Sequence, residues 1–174
     1  MATRPTTRAF TLIELVVVMG ILTLLTAISY PMLQRWTEPP LRKGARQVTA
    51  VIERGYEQAV TSRQLHRLRV DVAGGRYWME VLMRVSDEAV EFVVLPPERA
   101  LPSGVRFRDL ITPQGAAVTE GEAAIYFYPI GRLDRVVVHL EQGEGRQPAE
   151  ELSLVPHPLT GQVAVAEGYV ALDS

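Results

Sequence analysis

The spacing of apolar positions changes twice along this chain. From Phe10 to Leu33 it is nearly continuous, a run of 24 residues with no charge between Leu15 and Leu33. As a helix that run measures roughly 36 Å, enough to cross a hydrocarbon core of about 30 Å. Thr37-Glu38-Pro39-Pro40 then predicts a break, with Thr37 as cap and proline in the first turn of the next helix. Leu41, Ala45, Val48, Ile52, Tyr56 and Ala59 recur at helical spacing and form one stripe, opposite Arg42, Lys43, Arg46, Arg54 and Arg63. The stripe predicts a helix packed on its own domain's sheet, with the basic face in solvent.

From Leu68 the pattern becomes that of strands. Leu68–Val72 and Tyr77–Val81 flank Gly74-Gly75, a hairpin signal. Further strands are expected at Val90–Leu95 (ending at Pro96-Pro97), Val105–Ile111, Ala124–Tyr128, Arg135–Leu140, Leu152–Val155 and Gln162–Ala166. Eight short strands at this spacing predict an antiparallel sandwich. The expected class is α+β: a long N-terminal transmembrane helix packed on an antiparallel β-sandwich-type globular domain.

Composition narrows the chemistry. A chain of 174 residues suits one globular domain plus an appendage, and the absence of cysteine excludes disulfides and thiolate chemistry. The net charge of −2 hides an asymmetry: Leu41–Arg69 holds seven Lys and Arg against two acids, Val70–Ser174 eight against sixteen. His66, His139 and His157 lack metal-ligand spacing, and His139 reads as a strand-face histidine in an apolar strand. Adjacent acids such as Asp87-Glu88 and Glu150-Glu151 face opposite ways on a strand, and Gly143-Glu144-Gly145 is too short and acidic for a phosphate loop. No nucleophile elbow, P-loop or H-E-x-x-H motif occurs, so no catalytic residue, metal or cofactor is expected. DNA binding needs an exposed basic patch. The basic residues lie on the helix, and from Glu141 onward a single arginine, Arg146, sits among acids, so nucleic acid is not an expected partner.

The N-terminal run reads better as a retained anchor than as a cleavable secretory signal. It exceeds the usual 7–15 apolar residues and lacks a small-residue exit site. Arg4 and Arg8 would hold the N-terminus in the cytoplasm, and Trp36 would sit at an interface. Within the run stands Glu14, whose carboxylate would cost up to ~2.5–3.5 kcal/mol in a bilayer. The apolar run outweighs that cost, but the charge needs a partner that its own helix does not supply.

Ala9-Phe10-Thr11-Leu12-Ile13-Glu14-Leu15 resembles the class III signal of type IV pilins and type II secretion pseudopilins. The resemblance implies a pilin-like fold, cleavage by prepilin peptidase between Ala9 and Phe10, and N-methylation of Phe10. It also implies pairing of Glu14 with a neighbouring subunit's terminal amine, and a helix kink at Pro31. One residue departs from the pattern: Ala9 stands where the family prefers glycine. The implied organisation is a cleaved basic leader at 1–9, a transmembrane and assembly helix at 10–36, an amphipathic helix continuing into the globular domain at 37–67, and a periplasmic β-rich domain at 68–174. Ala59–Arg63 followed by Leu68–Trp78, with Ile125–Arg132 later, is similar to the H-type minor pseudopilins and FimT-like minor pilins. These resemblances imply a structural subunit, not an enzyme, of a periplasmic pseudopilus that drives export of folded proteins. It would sit single-pass in the inner membrane, with major and minor pseudopilins, the prepilin peptidase and membrane lipid as partners. The alternatives are a FimT-like minor pilin of a type IV pilus and, from a different class, a DNA-binding uptake component.

Overall fold

The computed structural model describes residues 12–34, 38–84, 86, 89–113, 115–143 and 150–172, with the side chains of the first helix described from Leu12 to Thr26. The expectations placed on Arg4, Arg8, Ala9, Phe10, Trp36 and Thr37 lie outside these residues. The chain divides into two units, Met1–Glu38 and Pro39–Ser174.

Helix α1 of the first unit runs from Leu12 to Gln34 and includes Pro31. Glu38 and Pro39 are non-helical, and α2 spans Pro40–Ser62. The break has a local cause. Pro39 has φ −52° and ψ 132°, as the residue before a proline prefers, and Pro40 starts the helix where its missing N–H costs nothing. No side chain caps this end. The helix terminates at Arg63, in the left-handed region at φ 57°.

Beyond α2 the described residues form ten strands: β1 (His66–Asp71), β2 (Arg76–Arg84), β3 (Val90–Ala100), β4 (Val105–Ile111), β5 (Ala117–Val118), β6 (Glu122–Tyr128), β7 (Arg132–Leu133), β8 (Val137–Gln142), β9 (Glu150–Pro156) and β10 (Val163–Glu167). They form two five-stranded sheets, ordered β3-β2-β1-β6-β7 and β10-β9-β8-β4-β5. Every pairing is antiparallel. The eight expected strands are present, and β5 and β7 join them as short edges. The largest boundary difference is in β3, which does not end at Pro96-Pro97 but continues to Ala100. As an edge strand it tolerates residues without an N–H, and the ladder skips from the Met79–Leu95 pair to Tyr77–Arg99.

Helix α2 touches strands of both sheets. Val48, Ile52 and Ala59 pack with Leu68, Ile125 and Phe127 of one sheet and Leu110, Leu140 and Leu154 of the other, all in one buried cluster. The whole cluster lies between Leu41 and Leu154, so Pro39–Ser174 carries its own core. Glycine allows the closest approach: a Cβ on Gly55 would lie 2.8 Å from the Met79 methyl and 3.0 Å from the Phe127 ring.

Tyr56 fastens α2 to two turns. Its hydroxyl faces the carbonyl oxygens of Leu159 at 2.5 Å and Gly131 at 3.1 Å and donates between them. Under this ring lies Gly161, at φ +71°, where an added Cβ would come within 2.4 Å of the Tyr56 Cγ. Gly161→Ala therefore incurs both backbone strain and a clash with a ring held by hydrogen bonds. We expect a loss of at least about 2 kcal/mol, measured by urea unfolding of Pro39–Ser174. The solvent-exposed change Thr160→Ala should cost less than about 0.5 kcal/mol.

Candidate assembly surface

In α1, every described side chain from Leu12 to Thr26 is exposed, and the apolar ones occupy all sides of the helix. A helix that is apolar all round belongs in a protein interior or a membrane. Its polar groups are arranged to tolerate such surroundings. Thr23 Oγ1 donates to the carbonyl oxygens of Met19 and Gly20 (3.0 and 2.9 Å), and Thr26 Oγ1 to those of Leu22 and Thr23 (both 2.9 Å). Glu14 is the exception. It lies in the first turn, where the helix dipole favours a negative charge, but has no ion-pair partner among the described residues. Among those residues no helix is long and apolar enough to cross a membrane; Leu12–Thr26 alone measures roughly 22 Å.

On α2 the stripe is buried as its spacing predicts, and the basic residues opposite face solvent. Arg42 pairs with Glu167 at 3.3 Å, both side chains well exposed, so screening leaves little energy in the contact.

Two buried polar clusters on the sheets escaped the sequence. On the sheet containing β1, Arg67 Nε donates to Glu80 Oε2 at 2.5 Å and Trp78 Nε1 donates to Glu80 Oε1 at 2.8 Å. The Arg67 guanidinium lies 3.6 Å over the Phe92 ring, so the buried carboxylate is satisfied and the cation has an aromatic roof. On the other sheet, His139 is fully buried and pairs in register with Asp109 of β4 and Ser153 of β9. Its Nδ1 is 2.6 Å from Asp109 Oδ1 and its Nε2 is 3.0 Å from the Val170 carbonyl oxygen. A carbonyl only accepts, so Nε2 carries a proton, and a second proton lies in the short contact to Asp109. Tyr169 stacks on His139 at 3.9 Å, and Arg108 lies 4.9 Å above Tyr169 while bonding Glu151 at 2.8 Å. Ser153 Oγ donates to Gly168 O and accepts from Val170 N. The histidine is thus a strand-face residue, as its setting suggests, and it anchors the C-terminal segment across this sheet. His66 and His157 lie elsewhere: His66 Nδ1 contacts the Gln64 carbonyl, and His157 occupies the β9–β10 turn.

Comparison with known proteins fits this division. Residues 4–30 match the family model of the prokaryotic N-terminal methylation motif. No curated protein matches the chain. Among solved structures it is similar to the minor pseudopilin EpsH from the type II secretion system of Vibrio cholerae, in two structures. One superposes with a TM-score of 0.56 at 18% identity, covering 75% of this chain and 96% of that one. The other gives 0.55 at 14% identity, covering 73% and 95%. The chain is therefore pilin-like: it opens with the N-terminal methylation motif and has the fold of a minor pseudopilin.

Proposed function

We propose that the protein is a minor pseudopilin of a type II secretion system, a structural subunit of the periplasmic fibre that drives export of folded proteins. The observation that carries this reading is an apolar helix with no described side covered, bearing a carboxylate in its first turn and joined to a pseudopilin fold. In this reading prepilin peptidase removes residues 1–9 and Phe10 becomes the methylated N-terminus. Residues 10–36 cross the inner membrane and pack beside the helices of other pseudopilins, with Pro31 bending the helix. The domain beyond lies in the periplasm. Glu14 neutralises a terminal amine, which sets the register of subunits. The chain's own residues do no covalent chemistry; they anchor, register and dock.

Deleting the gene should abolish export of folded proteins into the medium and leave natural DNA uptake intact. The pilus alternative is tested on the isolated Pro39–Ser174 unit by gel shift with duplex DNA at low salt. No shift is expected, whereas salt-sensitive binding together with intact export in the deletion strain would favour the uptake pilin.

A further inference from the structure

A notch opens where β3 leaves its ladder with β2. Between the pairs Met79–Leu95 and Tyr77–Arg99, residues 96–98 of β3 face only Trp78. Such bulges re-aim side chains and end pairing locally. The result is a cleft of about 160 Å³ bounded by Arg54 and Gln58 of α2, Trp78 and Met79 of β2, and Leu95 and Arg99 of β3. A closed cavity of about 150 Å³ holds a benzene ring, so this one suits a single side chain.

The charge in the notch is unbalanced. Most arginines on the sheets face carboxylates: Arg67 with Glu80, Arg69 with Glu122, Arg76 with Asp71 and Glu98, Arg106 with Glu141, and Arg108 with Glu151. Among the described residues, Arg54 and Arg99 have no such partner. The acids beside them in sequence are engaged elsewhere: Glu53 accepts from Val163 N at 3.4 Å, and Glu98 pairs with Arg76 at 3.2 Å. Arg99 also bears on Tyr77, whose burial pushes its phenol above the ordinary value while the arginine opposes the rise. The remaining walls are aromatic and aliphatic. Two residues along the same strand and on the same face as Leu95, Val93 is exposed, so apolar surface continues from the notch.

We propose that this notch is a docking site for an acidic side chain projected by a neighbouring protein subunit, its carboxylate held by Arg54 and Arg99 and its apolar flanks against Trp78, Leu95 and Val93. Apolar walls around two cations suit a carboxylate on a methylene stem better than a free phosphate, which has no apolar surface to bury. A DNA backbone would need a row of cations, and the notch offers a pair. The neighbour's identity as a fibre subunit rests on the function proposed above; the binding itself does not.

The test uses the Pro39–Ser174 unit, in which Trp78 is the sole tryptophan, since the other one in the chain is Trp36. Its emission reports titration with acetyl-Ala-Leu-Glu-Leu-Ala-amide, the Gln-for-Glu twin, inorganic phosphate and a short DNA duplex. We expect a saturable change with the Glu peptide, at least tenfold tighter than with its twin and weakened by salt. The variant Arg54→Gln plus Arg99→Gln should lose that preference with unchanged thermal melting, because both side chains are exposed. Equal binding of the two peptides, no saturable change, a preference that survives in the variant, or tighter binding of phosphate or DNA would each overturn the proposal.

Discussion

Glu14→Leu should leave the protein in the membrane fraction and lower export of folded proteins at least tenfold. The two effects separate because they draw on different physics. A carboxylate opposes insertion by up to ~2.5–3.5 kcal/mol, so replacing it with leucine can only strengthen the anchor. The exposed surface of α1 is apolar on every side, and leucine extends that surface unchanged in kind. What is lost is the partner of a terminal amine. At about 4 Å and an effective dielectric near 20, such a pair is worth about 4 kcal/mol. A loss of 1.4 kcal/mol at one subunit contact is already tenfold in its equilibrium constant, and a fibre repeats that contact. Fractionation reports the first effect and the ratio of exported to retained protein the second. Normal export in this variant would refute the role assigned to Glu14.

Asp109→Leu should destabilise the Pro39–Ser174 unit by about 2–3 kcal/mol, lowering its melting temperature by roughly 10 °C. The cause lies in where the protons sit. His139 is buried with hydrogen on Nε2 toward Val170 and another proton shared with Asp109. Leucine offers Nδ1 neither an acceptor nor a donor, so either an imidazolium is buried without its counter-charge or a neutral ring is left with an unpaired Nδ1 lone pair. The damage should centre on the C-terminal segment that the ring holds. Hydrogen exchange at Val170, whose amide donates to Ser153, and at Gly168, whose amide donates to the Glu151 carbonyl, should accelerate well before the core. Replacing the pair together, Asp109→Leu with His139→Leu, should recover most of the melting temperature, because an apolar pair leaves no buried charge. It should not restore protection of the tail, which loses both the Val170 contact and the Tyr169 stack. A single Asp109→Leu variant that melts like the parent would show that the pair carries no such weight.

The parts of the molecule that were legible in the sequence are those set by local periodicity. The stripe from Leu41 to Ala59 predicted a helix on a sheet because apolar spacing near 3.6 leaves one buried face, and that face is buried. Glycines at 74 and 75 placed the first hairpin, and short apolar runs between turn residues marked eight strands. What depends on neighbours was not legible. Pro96-Pro97 reads as a strand end unless the strand is known to lie at an edge, where proline is tolerated. The two-residue strands β5 and β7 are too short for a period to show. Asp109 and His139 are thirty residues apart and meet only through the β4–β8 register. A usable signal existed: each is a polar residue inside an apolar strand, and buried polar groups need partners. The notch at Trp78 arises from a bulge and has no sequence signature of its own.

The most direct test of the proposed function is the intact mass of the protein extracted from membranes. Cleavage between Ala9 and Phe10 with one added methyl group predicts a chain running from N-methylated Phe10 to Ser174. A mature chain that starts at any other residue, or one that retains residues 1–9, would contradict it.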